Sequence, residues 1–316
     1  MLIDNGKVYL YKTFLFFSIL FALLLFQKGY SQQSPLYSQY MFNGLLINPA
    51  YAGHEQSMSV SALVRKQWTA LDGNPTSEIL TAHTPLNNKK IALGALVSND
   101  NIGVTQQTGA DLMYAYRISF SETRKLSMGL QAGYSRLSAQ YNTLNVKDPN
   151  DPSFPSSTYH QNYLYFGTGL YYSAKRFYIG LSAPHANRVT LGKSFSTDEN
   201  SQSRNYFLTT GYVFTLSPSL KLKPSTLIKT TDSWSAQVDV NATLLYQDVF
   251  WIGVSYRTST ALSFMAKVQL TNQLSVGYAY DNALTNTNVK TGGGHEFMLT
   301  YNFAFFKSNM VTPRDF

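Results

Sequence analysis

The chain has 316 residues, no cysteine, 13% charged and 15% aromatic residues, with 23 Tyr and 20 Phe, and a formal charge of +8. The absence of cysteine excludes disulfides, thiol nucleophiles and thiolate metal sites, and so many rings beside so few charges is unlike a soluble enzyme. The basic residues are scattered, not gathered on one helix or interleaved with a stacking platform, which argues against a nucleic-acid surface.

The first element, residues 1–31, reads as a secretory signal peptide. Lys7 and Lys12 precede an uncharged apolar run over 14–26, and Gly29 and Ser31 stand at the small-residue cleavage positions. The run is too short for the ~20 apolar residues of a membrane helix. Processing after Ser31 leaves Gln32 as the first residue, and removing Lys7, Lys12, Lys28 and Asp4 lowers the net charge to +6. No later apolar run is long enough for a helix, so any membrane crossing is expected from strands, and strands cross only as a closed barrel.

Residues 32–56 form a pre-barrel segment, with 33–53 reading QSPLYSQYMFNGLLINPAYAG. It is too apolar for a free tail and lacks strand alternation, so it is expected to pack against something. Asn48, Pro49 and Gly53 have the chemistry of a helix N-cap, a first helical position and a stop, which predicts one helical turn over 49–52. Tyr40, Asn48, Pro49, Tyr51 and Gly53 are the candidate residues for binding a partner or sealing the periplasmic mouth.

From 57 to 306 the pattern is alternation of apolar with small or polar residues, over segments long enough for tilted strands to cross the hydrocarbon layer. In 125–136, Leu126, Met128, Leu130, Ala132 and Tyr134 share one face, and Ser127, Gly129, Gln131, Gly133 and Ser135 the other. In 234–246 the outward row runs Trp234, Ala236, Val238, Val240, Ala242, Leu244, Tyr246. Leu274, Val276, Tyr278 and Tyr280, then Phe297, Leu299, Tyr301, Phe303 and Phe305, repeat the period near the end. About fourteen such segments predict an all-β, antiparallel transmembrane barrel, starting near Ser57, Thr76, Lys89, Thr108, Lys125, Gln161, Arg176, Asn205, Leu220, Trp234, Val249, Thr260, Gln273 and Gly294. Short connections at even-numbered gaps and longer ones at odd-numbered gaps place both chain ends on the periplasmic side. The stretches 147–155 and 190–203 are then outer loops, and 307–316 is a C-terminal tail; there is no second domain.

The same parity sends Gly94, Gly129, Gly133, Gly211, Gly253 and Gly277 inward, with Arg65, Asp111, Arg117, Asp239, Arg257, Lys267 and Glu296 as candidate lumen residues. Two readings stand side by side. The glycines relieve strand curvature while the charges pair among themselves, or the small residues leave room for a ligand or an inserted polypeptide.

Catalysis finds no support. His54, His83, His160, His185 and His295 are far apart in sequence, and neighbours His295 and Glu296 face opposite sides of a strand, so they cannot chelate one ion. Gly292–Gly294 lack the Lys and following helix of a phosphate loop. No catalytic residue, cofactor or metal is expected.

The order of several elements resembles the PorP/SprF family. They are Ser38-Gln39-Tyr40, Asn48-Pro49-Ala50-Tyr51-Ala52-Gly53, VRKQW at 64–68, LQAGY at 130–134, RFYIGLS at 176–182 and GGGHE at 292–296. The resemblance implies an outer-membrane component of type IX secretion, linked to export and surface anchoring of large adhesins and to gliding motility. It implies as partners outer-membrane lipid, the C-terminal domain of a secreted cargo protein and periplasmic secretion components. The alternative is a passive porin for small, anionic solutes.

Overall fold

The computed structural model describes residues 36–55, 57–86, 89–141, 158–192, 204–232, 235–258, 260–284 and 292–303. The leader at 1–31, Trp234, most of the two expected outer loops and the tail at 307–316 lie outside them. The strands are β1 Met58–Gln67, β2 Thr76–Pro85, β3 Ile91–Ile102, β4 Thr105–Ser119, β5 Lys125–Ala139, β6 Tyr159–Ser173, β7 Phe177–Leu191, β8 Asn205–Tyr212, β9 Phe214–Ser217, β10 Leu220–Thr231, β11 Ala236–Tyr246, β12 Phe250–Arg257, β13 Ala261–Gln269, β14 Leu274–Ala283 and β15 Gly294–Phe303.

Each strand pairs antiparallel with its neighbours, β15 closes on β1, and β10 pairs with both β8 and β11, so the sheet is sealed. β8 and β9 are one wall stave interrupted at Val213, which makes the expected fourteen staves. The interruption lies across from Pro224 of β10, between the Ser225↔Gly211 and Leu222↔Phe214 pairs. Proline has no N–H to give a ladder, and the alternation of exposure is lost just there.

Every expected strand start falls within a few residues of its place, because alternation is a local signal that closure reinforces. β5 shows it best: Ser127, Gly129, Gln131, Gly133 and Ser135 are buried, while Met128, Leu130, Ala132 and Tyr134 are exposed. Leu112 is 70% exposed and Ile252 66%, an arrangement costly in water and favourable against lipid tails. Tyr116, Phe177, Tyr212, Tyr246 and Phe250 are exposed beside the short turns, as an interfacial girdle requires. The alternation of connection lengths is looser than expected: the six inner turns are short, but the outer β3–β4 link is only Gly103 and Val104, with Gly103 at φ +56°.

The ladder accounts for the wall but not for the centre. Inside the barrel run three 3-10 turns, Ser38–Met41, Gly44–Leu46 and Pro49–Tyr51. Their apolar residues form small cores with the wall: Leu36, Tyr40 and Ile47 with Phe207 and Leu227, and Leu45 and Ala52 with Ala92, Met113 and Ala115.

Candidate functional site

The site is this plug and the inward face that holds it. Its deepest anchor lies near the outer ends of the strands. Glu296 of β15 is fully buried and accepts the backbone N–H of Ser38 at 2.9 Å and of Gln39 at 3.1 Å, both at the start of a 3-10 turn. Arg65 of β1 lies 3.1 Å from Glu296 and 3.2 Å from Asp281 of β14, and the Ser38 hydroxyl donates to Asp281 at 2.6 Å. A carboxylate held by two amides and a guanidinium offsets the desolvation that buried charge incurs. Across β13, Arg257 of β12 shares its Nε–H between the two Asp239 carboxylate oxygens, at 3.1 and 3.0 Å, and donates from Nη1 to the Leu36 carbonyl at 3.3 Å.

Mid-lumen contacts are polar and specific. Asn241 donates to the Tyr40 hydroxyl at 2.8 Å, Asn43 to Thr81 at 2.8 Å, and Ser182 to the Ile47 carbonyl at 2.6 Å. Asn48 caps the last turn by accepting from Ala50 N–H at 2.9 Å, and its amide donates to the Leu170 carbonyl at 3.0 Å.

Toward the periplasmic end, Gly53 N–H donates to His83 Nδ1 at 3.1 Å, and Arg117 donates to the Ala52 carbonyl at 3.3 Å. Tyr51 meets Tyr171 edge-on, with ring centroids 5.5 Å apart, and stacks on His54 at 4.7 Å. Gly53 is at φ +67°, where a side chain is strained, and there the segment turns toward β1.

The five candidate plug residues are thus all brought to the wall, and the predicted turn over 49–52 is present as Pro49–Tyr51 capped by Asn48. The segment extends beyond the mouth where the sequence placed it: it runs from His83 and Arg117 up the lumen to the level of Arg257 and Glu296. All seven lumen candidates point inward. Arg65 pairs with Glu296 and Arg257 with Asp239, Asp111 faces His185 at 3.9 Å, Arg117 reaches the plug, and Lys267 lies over the Phe42 and Trp251 rings.

The glycines make space for different neighbours at different positions. A Cβ on Gly129 would overlap the Ala50 backbone and one on Gly277 the Gln39 side chain, so these two make room for the plug. Gly133 instead accommodates Asp111, and Gly211 accommodates Tyr178. Sequence reasoning missed Asp281, His83 and Ser182, and it read Asn241 as inward by alternation without giving it a partner. Asp281 carries the inward parity of Ser275, Gly277 and Ala279 and was open to detection. His295 turns outward to Tyr278 while Glu296 turns inward, and no metal-holding cluster occurs among the described residues.

Residues 29–301 match the model of a family described as type IX secretion system membrane protein PorP/SprF. No curated protein matches the chain. Similar solved structures include the KdgM porin in complex with disordered oligogalacturonate, at 10% identity over 78% of this chain and 99% of that one, with a TM-score of 0.43. Omp33 of Acinetobacter baumannii is 9% identical over 79% and 100%, at a TM-score of 0.44. The CymD monoaromatic hydrocarbon channel is 11% identical over 87% and 95%, at 0.47.

Proposed function

The chain belongs to the PorP/SprF family of type IX secretion system membrane proteins, and from that premise we propose that it is a non-catalytic outer-membrane barrel that supports export and surface anchoring of a cargo protein. The observation that carries this reading is the plug. Its backbone is bonded to Glu296, Arg257, Ser182, Arg117 and His83, on strands distributed around the barrel. A lumen tied to its own chain at so many heights favours a scaffold over a conduit for small molecules.

On this reading the client is a secreted adhesin, its C-terminal domain is held by the outer face, and periplasmic secretion components meet the inner face. Deleting residues 33–53 removes the plug while leaving every strand. Cells carrying that deletion are expected to lose surface display of the client while the barrel remains in the outer membrane. Normal display of every client would overturn the reading.

The passive-pore alternative predicts steady anion current through the intact protein in a planar bilayer. The scaffold reading predicts little current until the plug is deleted.

A further inference from the structure

The inner turns are not equally charged. The turn between β2 and β3 exposes Lys89 and Lys90, the next between β4 and β5 carries Arg124 and Lys125, and the next between β6 and β7 exposes Lys175 and Arg176. Glu122 is the single acid among these three turns. On the rest of the inner rim, among the described residues, Lys221 is paired with Asp248 at 2.6 Å, Glu55 precedes β1, and the β13–β14 turn over 270–273 is uncharged. At the outer ends the described charges mix signs, with Lys66, Arg136 and Arg204 among Asp72, Glu78 and Asp232.

Three successive inner turns of an antiparallel wall are two strands apart each, so the basic groups occupy an arc of about 20 Å at strand spacings of ~4.8 Å. Lipid headgroups surround a barrel on all sides, and a surface made for them would be basic all round. A patch confined to one arc matches a partner that approaches from one side. An arc of that width matches the acidic face of a folded domain, and long-range attraction of this kind speeds and orients docking.

We propose that this arc, Lys89, Lys90, Arg124, Lys125, Lys175 and Arg176, is the docking surface for an acidic face of a periplasmic protein. The inference rests on the secretion-scaffold reading and names where a periplasmic component meets the barrel and by what chemistry. The neighbouring exposed rings, Tyr116 and Phe177, keep the arc at the membrane boundary, where a periplasmic domain reaches it without entering lipid.

The test uses the full-length protein in intact cells, with a photoreactive benzoylphenylalanine in place of Lys89, Arg124 or Lys175 and, as the control on the opposite arc, in place of Thr271. The expected result is an adduct with the same periplasmic protein from all three arc positions and none from Thr271. In the background Lys90→Glu with Arg176→Glu the adduct should fall at least about tenfold, and it should return when the partner's acidic residues at the crosslink are changed to Lys. Heat-dependent gel migration reports whether that variant still forms its barrel. If it does not, adduct yield of the wild-type arc between about 0.05 and about 0.5 M salt replaces it, and a steep fall is expected. Equal adducts from Thr271, adducts with phospholipid alone, no adduct, or insensitivity to both charge reversal and salt would each overturn the proposal. Client display separates the two levels. Display unaffected by loss of the whole protein sinks the scaffold reading, whereas display lost without the protein but normal in the charge-reversed variant sinks only the arc.

Discussion

Glu296 ties the plug to the barrel seam, because two plug amides and Arg65 converge on it. Replacing it by Ala leaves Arg65 with Asp281 alone and strips Ser38 and Gln39 of their acceptors. Breaking a buried pair of this kind costs about 3 kcal/mol, which is about a 100-fold change in an equilibrium. Hydrogen exchange of the Ser38 and Gln39 amides is expected to accelerate by that order, and unchanged protection would show that the carboxylate does not hold the plug. Gly129→Val tests the opposite side of the fit. Its new side chain would occupy the Ala50 backbone position, so the plug must leave or shift, and protease is expected to cut within 38–53 in the variant but not in the parent. The inward direction of Glu296 and Gly129 was legible from alternation alone. Their partners were not, because nothing local in 296 points to residue 38.

Among elements, the strands were the more legible because each repeats a two-residue rule many times. The plug turns repeat nothing, and only Asn48, Pro49 and Gly53 marked the last of them. Asn48→Ala removes the cap on Ala50 and the bond to the Leu170 carbonyl. Cap loss alone costs ~1 kcal/mol, so exchange protection of the Pro49–Tyr51 turn is expected to fall by about fivefold or more while the β5 and β6 amides keep theirs. The split between β8 and β9 was missed for a related reason. Pro224 sits in an otherwise regular strand pattern, and its effect appears on the neighbouring stave, not on its own.

At the scale of the whole molecule, the barrel and its filling are separable in the sequence: one occupies 58–303 and the other precedes it. Purified intact protein is therefore expected to show little steady conductance in a planar bilayer, and the 33–53 deletion a large one, with strand content by circular dichroism nearly unchanged. Equal currents from the two would contradict a closed lumen. Arg65 belongs to the first strand, Glu296 to the last, and Ser38 to the segment before both, yet all three meet within hydrogen-bonding distance of one carboxylate. Stoppering and completion thus share a single fastener. A ribosome product that ends short of β15 has neither a seam nor a secured core, so a prematurely truncated copy carries an unsealed edge and a loose beginning at once.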